Sequence, residues 1–302
     1  TLNIDEWNHA VEECIKMGAI NFVFQGGEPL VSDLTIPLIR IIKRRGGYPV
    51  VNTNGILLAE KILSLKAAGI DWINVSINGI GESHDQFYNH PGLFDISLHG
   101  IELAQKAGIH VIVVTIATNK SLESGETLRL AQFMNKRKID TWLVYPMLAG
   151  RWIDHPYERL SEENIKRFDE LLKNKFIHWE GEGNYFKYGC AAGRESIYVS
   201  AYGDVTPCAG ICVSFGNIII TPLRDILNKM RQVPYFHDIT NRCMASVDEK
   251  FHNKFIAPFK GREGAIPIEQ VEFFYSISLT NPKTRIPSHL NAQTDYDGHV
   301  AR

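Results

Sequence analysis

The stretch NFVFQGGEPLV, Asn21 to Val31, runs an apolar strand directly into two glycines, an acid and a proline. Gly26 and Gly27 remove side chains where the strand leaves its sheet, which permits a positive φ and lets backbone carbonyls approach a ligand. Glu28 then offers an acceptor, and Pro29 stiffens the exit. A carboxylate beside exposed carbonyls suits a ligand ammonium group, although a G-G-E-P sequence taken alone is only a turn.

Outward from this stretch the same rhythm repeats. A helix around LTIPLIRIIKRR precedes GGYPVVNTNG, AEKILSLKAAG precedes IDWINVSING, FDISLHGIELAQKAG precedes IHVIVVTIATN, and TLRLAQFMNKRK precedes IDTWLVYPMLAG. Helices alternating with β-branched runs after short turns specify βα units and a parallel sheet buried on both faces. Strands are predicted at 20–25, 48–53, 72–77, 109–116 and 141–146. All five end in polar or glycine residues, which favours a barrel-like rim carrying the chemistry over an open sheet with a single crevice. Upstream, TLNIDEWNHAVEEC predicts a helix capped by Thr1 or Asn3, with Ile4, Trp7, Val11 and Ile15 on its apolar face.

Several rim residues are candidates for ligand contact. Ser76 and Asn78 stand two apart and so share a face. Arg151, in YPMLAGRW, can reach a carboxylate or shape the rim. His84 and Asp85 read first as a helix start and packing, and Tyr145 and Trp152 as core or inter-domain aromatics.

Bulk composition narrows the function classes. The 302 residues are 44% hydrophobic, enough for one large core or a core plus a small satellite domain. A net charge of -2, with no basic tract, argues against a nucleic-acid partner. No apolar run reaches the length of a membrane span and no signal peptide is visible, so a cytoplasmic protein without a membrane partner is expected. Neither G-x-G-x-x-G nor G-x-x-x-x-G-K-[ST] occurs, and nucleotide sites of those kinds lack their signal.

The segment YGCAAGRESIYVSAYGDVTPCAGICVSFGNI, 188–218, is the most specific in the chain. A predicted hairpin turning at Gly203-Asp204 brings Cys190 and Cys208 together at its open end. Cys212 follows at once, and Cys243 comes after an amphipathic helix, LRDILNKMRQV. Four thiolates from separated short elements can hold zinc or an iron–sulfur cluster. The lack of paired C-x2-C units favours the cluster. An odd cysteine count without a secretory signal weighs against a disulfide framework. Cys14, alone in the first helix, reads as a buried small hydrophobe.

Together these residues resemble the radical S-adenosylmethionine superfamily, and within it the members with a C-terminal auxiliary cluster domain of the SPASM or twitch kind. The resemblance is carried by GGEP at 26–29, NTNG at 52–55, VSING at 75–79 with His84-Asp85, and Cys190-x12-Gly203-x4-Cys208 with Gly216-Asn217. It implies an α/β fold: a partial (β/α)6 TIM-like barrel, its first strand missing from these residues, and a small cysteine-rich α+β auxiliary-cluster domain. The implied divisions are a barrel at 1–155, a helical linker at 156–189 and the cluster domain at 190–250; the tail at 251–302, whose residues predict a strand at 270–278, is expected to pack on the barrel, to mediate association or to end as a loose polar tail.

The resemblance also implies ligands. S-adenosylmethionine would meet Gly26, Gly27 and Glu28 through its ammonium, Ser76 and Asn78 through its ribose, and backbone from Met147 to Gly150 through its adenine. Asn54, Thr115, Leu148 and Arg151 complete that expected set. Asn78 stands where aspartate is often found, which keeps a hydrogen bond and loses a charge. Cys190, Cys208, Cys212 and Cys243 would hold an auxiliary [4Fe–4S] cluster. The family's radical-generating cluster is held by C-x3-C-x2-C, which these residues lack, so a second [4Fe–4S] cluster is expected from residues upstream of Thr1. The implied activity is generation of a 5′-deoxyadenosyl radical that abstracts a substrate hydrogen, with the auxiliary cluster transferring electrons or binding substrate. A peptide or a small cofactor precursor such as a tetrapyrrole is the expected substrate, and a flavodoxin or ferredoxin the expected electron donor. The alternative class is a non-catalytic iron–sulfur or zinc-stabilised partner protein that has lost the radical cluster. No side chain is singled out as catalytic.

Overall fold

Asn3 starts the first helix. Its side chain accepts from the Glu6 N–H while the Glu6 carboxylate accepts from the Asn3 N–H, a reciprocal cap that sets α1 at Ile4–Lys16. The computed structural model describes residues 1–183, 189–236, 240, 242–262 and 264–271.

Six parallel strands follow: β1 (Asn21–Phe24), β2 (Tyr48–Thr53), β3 (Trp72–Ser76), β4 (His110–Ile116), β5 (Thr141–Val144) and β6 (Ile177–Trp179). Their order in the sheet is the order in the chain, without reversal. An open doubly wound sheet would reverse and create a switch point; here every exit lies on one running rim. Between strands the chain returns through α2 (Thr35–Arg44), α3 (Leu58–Ala68), α5 (Leu93–Lys106) and α7 (Glu126–Asn135). Helices α2, α3 and α5 pack side by side as one layer. Val51, Ile73, Val75 and Val113 of the sheet bury against Leu58, Leu65, Ile101 and Ala104 of that layer. Leu65 is fully buried, and truncating such a leucine to alanine costs roughly 2–5 kcal/mol.

Two short helices occupy strand exits, α4 (Glu82–Tyr88) after β3 and α6 (Asn119–Glu123) after β4. The stretch 156–189, expected as a helical linker, contributes α8 (Glu162–Leu171) and also the sixth strand, whose Ile177 pairs with Thr141. Three residues are too few to display the alternation that marks a strand in sequence.

The C-terminal lobe is built from small pieces. β7 (Tyr198–Val199) and β8 (Val205–Thr206) form the predicted antiparallel hairpin. β9 (Val213–Ser214) pairs with β10 (Ile266–Pro267), and α9 (Leu223–Met230), α10 (Met244–Val247) and α11 (Glu249–Phe255) close the lobe. Phe215, Phe236, Phe251 and Phe255 form its core together with Ala10 of α1, so the lobe shares a core with the first helix. Most of the strand expected at 270–278, and the tail after it, lie outside the described residues. Among the described residues no helix is long and apolar enough to cross a membrane.

Candidate active site at the strand exits

At the β1 exit Gly26 adopts φ +131°, a conformation that side-chain-bearing residues rarely take, and both Gly26 and Gly27 are exposed. The Glu28 carboxylate turns inward instead of facing the opening. Oε1 accepts from the Leu30 N–H at 3.0 Å and the Thr53 hydroxyl at 2.8 Å, while Oε2 accepts from the Asn54 N–H at 2.8 Å. Glu28 therefore ties the exit of β1 to that of β2. Asn54 closes its own turn, Oδ1 accepting the Ile56 N–H, and its carbonyl receives the Ser97 hydroxyl at 2.8 Å. Gly55, at φ +87°, lies so close to Ser97 that a Cβ would come within 2.8 Å of it.

The β3 and β4 exits are joined by Asn78, which is 9% exposed. Its Oδ1 accepts from the Ile116 N–H at 2.8 Å and the Thr115 hydroxyl at 3.4 Å, and its Nδ2 donates to the Tyr88 hydroxyl at 3.0 Å. The Asn78 N–H donates to Nδ1 of His84, a fully buried ring. Burial pulls the His84 pKa down to about 4, against a smaller upward pull from Asp85. Asp85 accepts from the Gly92 and Phe94 N–H groups at the start of α5, and these bonds hold its carboxyl below the usual range. The Tyr88 phenol is pushed up chiefly by burial and further by the nearby Glu28 charge, against the Asn78 amide and Ser76, which pull it down. Asn78 thus links Thr115 and the β4 backbone to the Tyr88 phenol, which also feels Ser76 and Glu28.

The β5 exit meets the C-terminal lobe. Met147 packs into the lobe's core and its sulfur abuts Gly210. The Leu148 carbonyl lies 3.0 Å from His252 Nε2 on α11. Arg151 sits on the backbone of a short 3-10 turn, Gly150–Trp152. Across the rim the Phe87 and Trp152 rings stand 6.2 Å apart, spanning the exits of β3 and β5. The lobe reaches the β1 exit as well: the Tyr198 hydroxyl lies 3.9 Å from where a Cβ on Gly26 would be.

Of the four expected cluster ligands, Cys190, Cys208 and Cys243 pack against the same lobe core and lie near enough to feel one another's charge. Cys208 and Cys243 are each pushed up by burial first and then by neighbouring thiols, Cys243 and Cys190 acting on Cys208, and Cys190 acting on Cys243, which reaches about 11. Cys212 is exposed and does not share in this coupling. No three His, Cys, Asp or Glu side chains among the described residues close around a single point as metal ligands would. Buried thiols in such a group favour their protonated forms until a cation arrives. Cys14 packs against the lobe core and is pushed up to about 11 by burial, as a small apolar residue would be.

Tyr88, Tyr198 and Arg242 escaped the sequence reading. Arg242, next to Cys243, pairs with Asp169 of α8. The partners of Tyr198 and Arg242 are remote in sequence, and neither residue belongs to a periodic pattern. The tyrosine in HDQFYN, one helical turn past His84, was the one local signal.

The family comparisons fall on these two regions. A model of the radical SAM superfamily matches residues 1–132, and one of an iron–sulfur cluster-binding domain, SPASM, matches residues 190–246. The chain is similar to an AdoMet-dependent heme synthase of Methanosarcina barkeri, 29% identical over 254 residues, 74% of this chain and 73% of that protein. A probable GTP 3',8-cyclase of Aeropyrum pernix is 31% identical over 187 residues, 59% of this chain and 52% of that protein, so the chain spans about half of that relative's length. In fold the chain resembles Streptococcus suis SuiB bound to precursor peptide SuiA, with a TM-score of 0.61 at 14% identity, over 78% of this chain and 60% of that one. The sheet with its exits and the cysteine lobe are the matched parts, and the chain belongs to the radical SAM superfamily and carries a C-terminal SPASM domain.

Proposed function

We propose that this chain binds S-adenosylmethionine at its strand exits and an iron–sulfur cluster in its SPASM lobe, and acts as a radical enzyme on a small cofactor precursor of the tetrapyrrole kind or on a peptide. The carrying observation is the seating of the cysteine lobe on the rim, through Met147 with Gly210, Leu148 with His252, and Tyr198 over Gly26. That seating brings the cysteine lobe against the rim.

The donor chemistry present suits both groups. Gly26 and Gly27 leave open backbone at the β1 exit, where their carbonyls accept a ligand ammonium. Glu28 keeps that backbone in place by bonding across to β2. Ser76 and Asn78, with Thr115 behind them, border the ribose, while Asn54 sets the β2 turn and backbone at Met147 and Leu148 frames the adenine. Arg151 follows this backbone in the next turn. Cys190, Cys208 and Cys243 hold the auxiliary cluster, and Cys212 is the candidate fourth ligand. When bound, S-adenosylmethionine and a reduced radical cluster supply cleavage of a carbon–sulfur bond and abstraction of a substrate hydrogen. A C-x3-C-x2-C segment, which these 302 residues lack, would hold that second cluster, and a flavodoxin or ferredoxin would supply the electron. Among substrates the tetrapyrrole class comes first, because the heme synthase relative is similar in sequence over most of both chains, whereas likeness to SuiB at 14% identity speaks for fold alone.

Iron and acid-labile sulfide per chain, measured after anaerobic preparation from the gene's native start, test the reading. About eight of each are expected, two [4Fe–4S] clusters, with dithionite-dependent release of methionine from S-adenosylmethionine. About four of each would leave the auxiliary cluster alone and favour the non-catalytic partner. No iron would overturn the reading.

A further inference from the structure

The turn after Cys190 is held tightly. The N–H groups of Arg194, Glu195 and Ser196 all point at the Ala191 carbonyl, and the Gly193 N–H reaches the Pro207 carbonyl at 3.1 Å, next to Cys208. Gly193 adopts φ +72°, and a Cβ there would meet Phe236 at 2.8 Å. The turn therefore has one seat between two cysteines.

Arg194 folds back from this turn onto Cys190. Its Nη2 donates to the Cys190 carbonyl at 3.2 Å and to Glu195 Oε1 at 3.3 Å. The pair is largely buried, with 18% and 8% of the two side chains exposed. Nε and Nη1 are shut away from solvent with no hydrogen-bond partner among the described residues. Those two nitrogens carry three of the five guanidinium N–H donors. Buried donors are almost always satisfied, and unpaired ones on a cation are the most costly. Glu195 balances the charge through Nη2, so what Arg194 lacks is acceptors.

A cluster held by Cys190, whose carbonyl Nη2 already reaches and which packs on the same core as Cys208 and Cys243, would supply them. Thiolate and sulfide are acceptors, and hydrogen bonds to them help set cluster potentials. We propose that Arg194 is a positioning residue for the auxiliary cluster, donating from Nε and Nη1 to sulfur on the Cys190 side and favouring the reduced, more negative state. This inference rests on the reading of the SPASM lobe as a cluster site.

The test uses the full chain reconstituted anaerobically with iron and sulfide, with the midpoint potential followed by electron paramagnetic resonance. Arg194→Gln should lower the midpoint by at least the ~59 mV that a tenfold change means for a one-electron couple, at unchanged iron content, and Arg194→Lys should recover part of it. An unchanged midpoint in an Arg194→Gln protein with full iron overturns the proposal. Should that variant lose its iron, wild type grown with 15N-guanidino arginine decides. A nitrogen coupling to the reduced cluster spin that vanishes in Arg194→Lys supports the proposal, and its absence from wild type overturns it. A wild-type chain that takes up no iron would instead overturn the cluster reading beneath, a result distinct from iron binding without the coupling.

Discussion

Arg242 holds both carboxylate oxygens of Asp169, at 3.0 and 2.8 Å, and its Nη1 also reaches the Tyr145 hydroxyl at 2.7 Å. Asp169 lies on α8, Tyr145 follows β5, and Arg242 immediately precedes Cys243. The cysteine latest in the chain is therefore anchored to the sheet's far edge. The Asp169 carboxylate, followed by the Tyr145 hydroxyl, pushes the guanidinium pKa further up, so Arg242 stays charged across the working pH range.

Breaking that anchor should loosen Cys243 more than it weakens the fold. Both partners are partly exposed, at 34% and 45%, so screening limits the pair to about 1 kcal/mol of stability. Asp169→Asn should shift the urea midpoint slightly while iron leaves to a chelator several-fold faster than in wild type. Tyr145→Phe, which removes one neutral partner, should cost about 0.5–1.5 kcal/mol and change iron release less. Iron loss at the wild-type rate in Asp169→Asn would show that Cys243 is positioned by something else.

The two rim glycines should separate folding from ligand approach. Gly26→Ala forces a side chain onto φ +131°, a strain of about 1–3 kcal/mol. Gly27 has no such φ, and a Cβ there meets nothing within 4 Å, so Gly27→Ala should fold within about 0.5 kcal/mol of wild type. Equilibrium dialysis of S-adenosylmethionine should nonetheless show roughly tenfold weaker binding to Gly27→Ala, about 1.4 kcal/mol. Undiminished binding would remove Gly27 from the ligand site.

Much of the fold was legible because it is periodic. The strand predicted at 48–53 is observed at Tyr48–Thr53, and Asn3 caps the first helix as its side chain allows. β6 escaped, being three residues long. In the candidate site the glycine turn and the cysteines announce themselves by residue type, yet type does not say which way a side chain turns. Glu28 was expected to face a ligand, and its carboxylate is occupied by Leu30, Thr53 and Asn54. Arg242 carried no signal at all, because its partners lie 73 and 97 residues away.

That inward-facing carboxylate can be tested directly. Glu28→Gln keeps the shape but sets an amide donor against the Thr53 hydroxyl or the Asn54 N–H. Hydrogen bonds to a charged acceptor contribute about 1.5–3 kcal/mol each when partly buried, so a loss of about 2 kcal/mol in urea unfolding is expected. Stability equal to wild type would mean that the β1 and β2 exits are held together without it.

The buried imidazole predicts a pH dependence. His84 accepts the Asn78 N–H at Nδ1 and is held neutral, with its pKa lowered from 6.5 to about 4 by burial. Between those values the unfolded chain binds the proton and the folded chain does not, so stability rises with pH. The contribution is complete above pH 6.5 and is lost as pH falls toward 4, with a slope of at most about 1.4 kcal/mol per pH unit. Asp85 beside it titrates lower, from 3.8 downward, and acts outside most of this window. Urea unfolding from pH 4 to 7 should show the slope in wild type and a flatter line in His84→Gln. Equal slopes would show that His84 is not the group responsible.

The contact of Met147 with Gly210 joins the β5 exit to the cysteine lobe, and packing across it should be non-additive. A Cβ on Gly210 would overlap the Met147 sulfur. The thioether is flexible and can yield, so Gly210→Ala should cost about 1–3 kcal/mol as overpacking. Met147→Ala removes a partly buried side chain and should cost about 2 kcal/mol. In the double variant the clash has no partner, so the combined loss should fall short of the sum by at least 1 kcal/mol. Because Met147 also borders the proposed adenine position, the same series should restore S-adenosylmethionine binding less fully than stability. Losses that add within about 0.5 kcal/mol would mean that rim and lobe do not meet at this point, and would take away one of the three contacts on which the seating of the lobe depends.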